Sequence, residues 1–171
     1  TRGFFPTELE AAKKSVGSNA KWYAAAEKVA EDKHLLTFVQ GKMDKPITRY
    51  DMAAIIANVM DAKEFAGRTN FNTVQATFYK IADINSIPDS YQTSVAAVFA
   101  MGIITGTDSK GTFSGSSYMN RAQAAVVYGR MTDAFLNYNA SSNPATPTTP
   151  TEPSTPSTPA GGESSVVGTV S

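Results

Sequence analysis

Met52, Ile55, Ile56, Val59 and Met60 recur at the i, i+3, i+4, i+7, i+8 spacing that lines one face of an α-helix. Thr48 precedes that stripe with Asp51 three residues on, a capping box whose acid is one methylene shorter than the usual Glu, so a helix is predicted to start just after Thr48. Ile47 and Met52 flank the cap as a hydrophobic staple. The same grammar returns at Asn120-x-x-Gln123, followed by Ala124, Val127, Tyr128, Met131 and Phe135 as the buried stripe of a second helix. Between the two, Asp89-x-x-Gln92 reads as a third capping box, and Gly102 is placed to end that helix in a left-handed cap. The segment "GTDSKGTF", with Gly106 and Gly111, predicts a tight hairpin-like turn.

These elements repeat. "YAAAEKVAEDKHLLT" (Tyr23–Thr37) aligns with "YQTSVAAVFAMGIIT" (Tyr91–Thr105) at an offset of 68, and the helices that follow align at 72. Each unit is a helix, an apolar pair (Leu35-Leu36 or Ile103-Ile104), a polar turn and a second helix. Units of this size bury their apolar faces against one another. The expected fold is therefore mainly α: helix–turn–helix units packed as a pseudo-symmetric helical bundle with short hairpin-like turns. The expected divisions are an N-terminal helical segment over 1–18, repeats over 19–66 and 78–138, and a connecting segment over 67–77.

From Asn139 to Ala160 no aromatic or large aliphatic residue occurs, so nothing offsets the entropy cost of ordering that stretch. Its prolines stand at 144, 147, 150, 153, 156 and 159, a period of three that matches the polyproline II turn. Read as a rod at about 3.1 Å per residue it spans on the order of 60 Å; read as a flexible linker it has no set length. Residues 139–164 are expected to be this linker, and 165–171, within "SSVVGTVS", the start of a following domain. A targeting segment is expected to lie outside the sequence.

Composition removes several function classes. Fifteen basic side chains balance fifteen acidic ones, so no broad cationic surface is available for nucleic acid. No apolar run approaches the ~20 residues of a membrane span. The chain has no Cys and one His, His34, which leaves no metal site of the Cys/His kind, no disulfide and no Ser–His nucleophile near a G-x-S-x-G elbow. Asp108 lies in a Gly-flanked turn but lacks the alternating acids of a calcium loop. No cofactor and no catalysis are expected.

The capping residues pose the functional question. Arg49 and Arg121, 72 residues apart, each follow the cap directly. A cation at the positive end of a helix dipole typically costs a few tenths of a kcal/mol. Both side chains are expected to point away from the buried stripe and to be dispensable for folding. An anion bound at each helix start would then use the guanidinium and the free backbone N–H groups together.

The chain resembles the S-layer homology family. The second unit carries "FYKIADI" (Phe78–Ile84), "GIITGTDSKGTFS" (Gly102–Ser114) and "MNRAQ" (Met119–Gln123), where the family has its F-x-D-V, GII-x-G, DGTF and T-R-A-E elements. The first unit carries Trp22-Tyr23 at the aromatic position and "ITRYD" (Ile47–Asp51) at the motif, with His34 where the glycine belongs and a shortened turn. The resemblance implies a non-catalytic, extracellular module that holds an exported bacterial protein non-covalently on a secondary cell-wall polysaccharide, often pyruvylated, through the motif arginines. By that resemblance the carbohydrate-binding residues are Arg49, Arg121, Thr48, Asn120, Asp51, Gln123 and Trp22. Trp22 also reads as a core residue. The family's bundle has three repeats, so self-association would complete it here. Another reading makes Thr1–Phe5 the remnant of a third motif with Arg2 as its arginine, against which Pro6 is poorly placed in a continuing helix. The alternative function is a structural protein–protein module with a decayed glycan site, joined to an enzymatic or adhesive domain beyond the linker.

Overall fold

The computed structural model describes residues 3–39, 41, 43–64 and 71–142. Within them the protein is mainly helical: α1 (Pro6–Ser15), α2 (Ala24–Asp32), α3 (Arg49–Ala62), α4 (Phe71–Phe78), a 3₁₀ turn (Ile84–Ser86), α5 (Asp89–Ala100) and α6 (Arg121–Ser142). No described helix is long and apolar enough to cross a membrane. Arg2, the linker from residue 143 onward and the segment 165–171 lie outside the described residues.

The helix boundaries keep the two offsets seen in the sequence. Helices α2 and α5 end at Asp32 and Ala100, 68 apart, and α3 and α6 begin at Arg49 and Arg121, 72 apart. Helix α1 packs on α2 as α4 packs on α5, while α3 lies along α5. Two cores result. Ala53, Ile56 and Met60 of α3 join Val95 and Val98 of α5, Ile103, Ile104, Phe113 and Val127 in one; Val59 joins Phe4, Phe5, Leu9, Val29, Leu35 and Leu36 in the other. Helix α3 is the wall they share, because its stripe is wide enough to present residues to both sides.

Four local expectations are corrected. Asp89 is the first helical residue of α5 rather than its cap, which is Pro88. The Gln92 amide donates to Ile87 O and Asp89 Oδ1, at 3.0 and 3.1 Å, instead of accepting from the backbone. Residues 71–77, placed within a connecting segment, form α4 together with Phe78. Helix α6 continues four residues past Tyr138, since "NASS" contains no helix breaker before Pro144. Tyr128, expected in the buried stripe, is 48% exposed. Only Val127 of that stripe is fully buried, because α6 meets the body along one narrow edge.

The glycine position before each apolar pair shows how the two units differ. Gly102 has φ +67° and His34, its counterpart, φ +55°. Both close the helix with the same bonds, Ile103 N to Val98 O at 3.0 Å and Leu35 N to Ala30 O at 2.8 Å. The left-handed conformation costs an L-residue on the order of 1–2 kcal/mol, part of which glycine gives back as unfolded-state entropy. His34→Gly is therefore expected to stabilise the protein by about 0.5–1 kcal/mol in denaturant melts. A loss of stability would show that the imidazole makes a compensating contact.

Candidate functional site

The start of α3 is a joint between the two units. Thr48 has extended backbone (φ −83°, ψ 163°), and its Oγ1 accepts from Asp51 N at 3.1 Å. Asp51 does not reach back to the backbone as a longer Glu would. Its Oδ2 accepts from the Thr48 hydroxyl at 2.7 Å and its Oδ1 from the Tyr91 hydroxyl of α5 at 3.0 Å. Burial, and then the Asp51 carboxylate, push the Tyr91 phenol up to about 12. Outside the helix, Thr48 faces Tyr118 in an antiparallel bridge, so the lead-in segments of α3 and α6 pair with each other. Arg49 N donates to Ser117 O and Tyr50 N to Gly115 O, both at 2.9 Å. The first N–H groups of α3 are therefore taken by protein carbonyls, contrary to the expectation that an anion would use them. At α6 both arms of the capping box form: Gln123 N donates to Asn120 Oδ1 at 2.9 Å and Asn120 N to Gln123 Oε1 at 3.0 Å.

Arg49 departs from its expected role. It is only 7% exposed, and its side chain runs into the turn of the second unit. Nε donates to Phe113 O at 2.7 Å and Nη2 to Thr105 O at 2.6 Å, with the guanidinium 4.9 Å from the centre of the Phe113 ring. Burial lowers its pKa, opposed by the nearby charge of Asp83. The misplaced cation at the start of α3 is thus explained by two carbonyls and a ring that only the tertiary fold supplies.

Asp83 holds the same turn from the other side. Its Oδ1 accepts from Phe113 N at 2.6 Å and its Oδ2 from Ser114 N at 2.9 Å. Gly111 (φ +81°) lets the turn pass close to α4's end, where a Cβ would stand 2.5 Å from Lys80 O. Asp108 closes the turn on itself. It accepts from Lys110 N and Thr112 N at 3.0 Å and from the Thr112 hydroxyl at 2.6 Å, which together hold its carboxyl below the usual range. No cluster of three potential metal ligands exists among the described residues.

A groove of about 390 Å³ runs between this turn and α6, lined by Arg49, Thr105 and Thr107 on one side and Gln123, Val126 and Arg130 on the other. Arg130 Nη1 approaches Thr105 Oγ1 at 3.4 Å. Two arginines and no carboxylate line it. Of the residues singled out in the sequence, Arg49 and Gln123 meet here, with Thr48 and Asp51 bracing the helix start behind Arg49. Arg121 is exposed, has no side-chain partner among the described residues and does not line the groove; Asn120 is committed to its cap. Trp22 is 94% exposed rather than core, edge-on to Tyr23 at 5.4 Å, and is also outside the groove. Sequence reasoning missed Arg130, whose position follows only from the packing of α6. It passed over Asp83 although the F-x-D stretch contained it.

Residues 80–125 match the family model of the S-layer homology domain. The curated proteins and the solved structures give no match. The matched span contains Asp83, helix α5, the turn and the α6 capping box, and it supplies Thr105 and Thr107 on one side of the groove and Gln123 on the other. Domains of this family are cell-surface and cell-wall anchoring modules, typically non-catalytic. Over residues 80–125 the chain is similar to the S-layer homology domain.

Proposed function

We propose that the protein anchors its parent chain to the bacterial cell wall by binding an anionic secondary wall polysaccharide in the groove between the 105–107 turn and α6. The observation that carries this reading is the pair Arg49 and Arg130 lining a groove that has no acid in its walls. Two bonds orient the Arg49 guanidinium, and its remaining N–H groups have no acceptor among the described residues. A planar fork so held suits the two oxygens of a pyruvyl or uronic carboxylate. Arg121, exposed in the first turn of α6, supports contact with a further unit of the polymer, and the exposed Trp22 ring suits stacking on a sugar face. Thr48, Asp51, Asn120 and Gln123 serve by setting the helix starts.

The test is co-sedimentation with protein-stripped sacculi, before and after the polysaccharide is extracted. Arg130→Ala and Arg121→Ala are each expected to weaken binding roughly tenfold, the loss of one charge-assisted contact, with unchanged melts because both side chains are exposed. Lysine at position 130 should rescue poorly, lacking the fork. Full binding by a folded double variant would exclude the groove. In that case the structural alternative gains, since the exposed Tyr128 and Leu136 on α6 offer an apolar surface for self-association, readable by analytical ultracentrifugation.

A further inference from the structure

We propose that the groove between α4 and α5 is a second binding site, separate from the arginine groove, and that it takes a neutral pyranose sugar. The two units carry grooves at equivalent places, between α1 and α2 and between α4 and α5, and the chemistry of their walls differs. The first, about 420 Å³, is lined by Glu8, Lys28, Asp32 and Lys33. These charges are already spent on one another, Lys33 to Glu8 at 3.1 Å and Lys28 to Asp32 at 3.2 Å. The second, about 660 Å³, has no charged residue in its lining. Its polar groups are the carboxamides of Gln75, Asn85 and Gln92, set beside Phe78 and Tyr79.

Those groups are poised for a ligand rather than for the fold. The side chains of Gln75 and Asn85 have no partner among the described residues. The Gln92 amide nitrogen is held by Ile87 O and Asp89 Oδ1, which fixes the plane of the group and leaves its carbonyl oxygen as an acceptor. The Gln75 and Asn85 carboxamides each offer donor and acceptor side by side, the pattern that pairs with neighbouring hydroxyls. Tyr79 is 86% exposed, so its ring is open to solvent at the groove. Its face matches the C–H face of a pyranose, and a single ring with amides around it makes an amphipathic cradle. An anion would find no cation in the lining. A polyproline helix requires a row of aromatic ridges, whereas here Tyr79 is the exposed ring and Phe78 is partly buried.

The experiment is a titration of the full chain, followed residue by residue in ¹H–¹⁵N spectra, with methyl β-glucoside, cellobiose and N,N′-diacetylchitobiose. At least one is expected to give saturable millimolar shifts concentrated on Tyr79, Asn85 and Gln92. Tyr79→Ala should weaken that binding by at least about tenfold and Tyr79→Phe by less than about twofold, since the ring and not the hydroxyl makes the platform. Arg130→Ala should leave it unchanged, so failure here and failure of the anionic site are read separately. The proposal is overturned if none of the three sugars gives saturable shifts up to about 50 mM. It is also overturned if Tyr79→Ala binds as the parent does, or if only a peptide copying residues 147–156 shifts these residues.

Discussion

Arg49→Ala is expected to lower folding stability by about 3–5 kcal/mol. Each charge-assisted hydrogen bond is worth about 1.5–3 kcal/mol, and the variant loses two of them together with the cation–ring contact. It leaves Phe113 O and Thr105 O without their donor at a largely buried joint. Relief of the unfavourable dipole contact returns only a few tenths of a kcal/mol. The reading from sequence, that both motif arginines are dispensable for folding, is therefore reversed at position 49 and kept at position 121. Domains of this size are stable by about 5–15 kcal/mol, so the loss is large enough to mimic loss of binding if only sacculus retention were measured. Denaturant melts of Arg49→Ala beside Arg121→Ala check it; equal midpoints would mean that the Arg49 bonds contribute nothing net. Arg49→Lys should recover less than half of the loss, because an ammonium cannot reach two divergent carbonyls at once.

Asp83→Ala is expected to cost about 3–4 kcal/mol by the same kind of reasoning. The carboxylate accepts from two consecutive backbone N–H groups, which have no other acceptor among the described residues. Asp83→Asn, which keeps one acceptor oxygen, should lose about half as much. Arg49 and Asp83 grip the carbonyl and amide of the same residue, Phe113, whose ring is fully buried. Once either grip is gone the turn is free to shift, so the second substitution has less to remove. The double variant is expected to be less destabilised than the sum of the single ones, and a double-mutant cycle reads the coupling directly. Strict additivity would show that the two residues act on independent parts of the turn.

Much of this protein was legible as sequence because much of it is local. The starts of α3 and α6 follow from Thr48-x-x-Asp51 and Asn120-x-x-Gln123, contacts that span three residues and need no knowledge of the rest of the chain. The left-handed closure at Gly102 is set by the same short-range geometry, whereas the matching one at His34 was shown by the structure. Helix α4 escaped notice because "FNTVQATF" is short and has neither a capping box nor a full stripe. Its helicity rests on packing against α5.

Burial and partnership were decided by the tertiary structure alone. Thr105 and Phe113 lie 56 and 64 residues from Arg49 and come within its reach only because Asp83 and Gly111 fold the turn beneath it. A dipole argument sees the helix that carries an arginine but not the carbonyls brought up against it. Periodicity likewise names the apolar face of α6 without saying how much of it another element covers, so Tyr128 is half exposed and Trp22 stands in solvent. Caps and closures depend on neighbours along the chain, which the order of residues determines directly. The destination of a long side chain depends on neighbours in space, and those exist only after the units have packed.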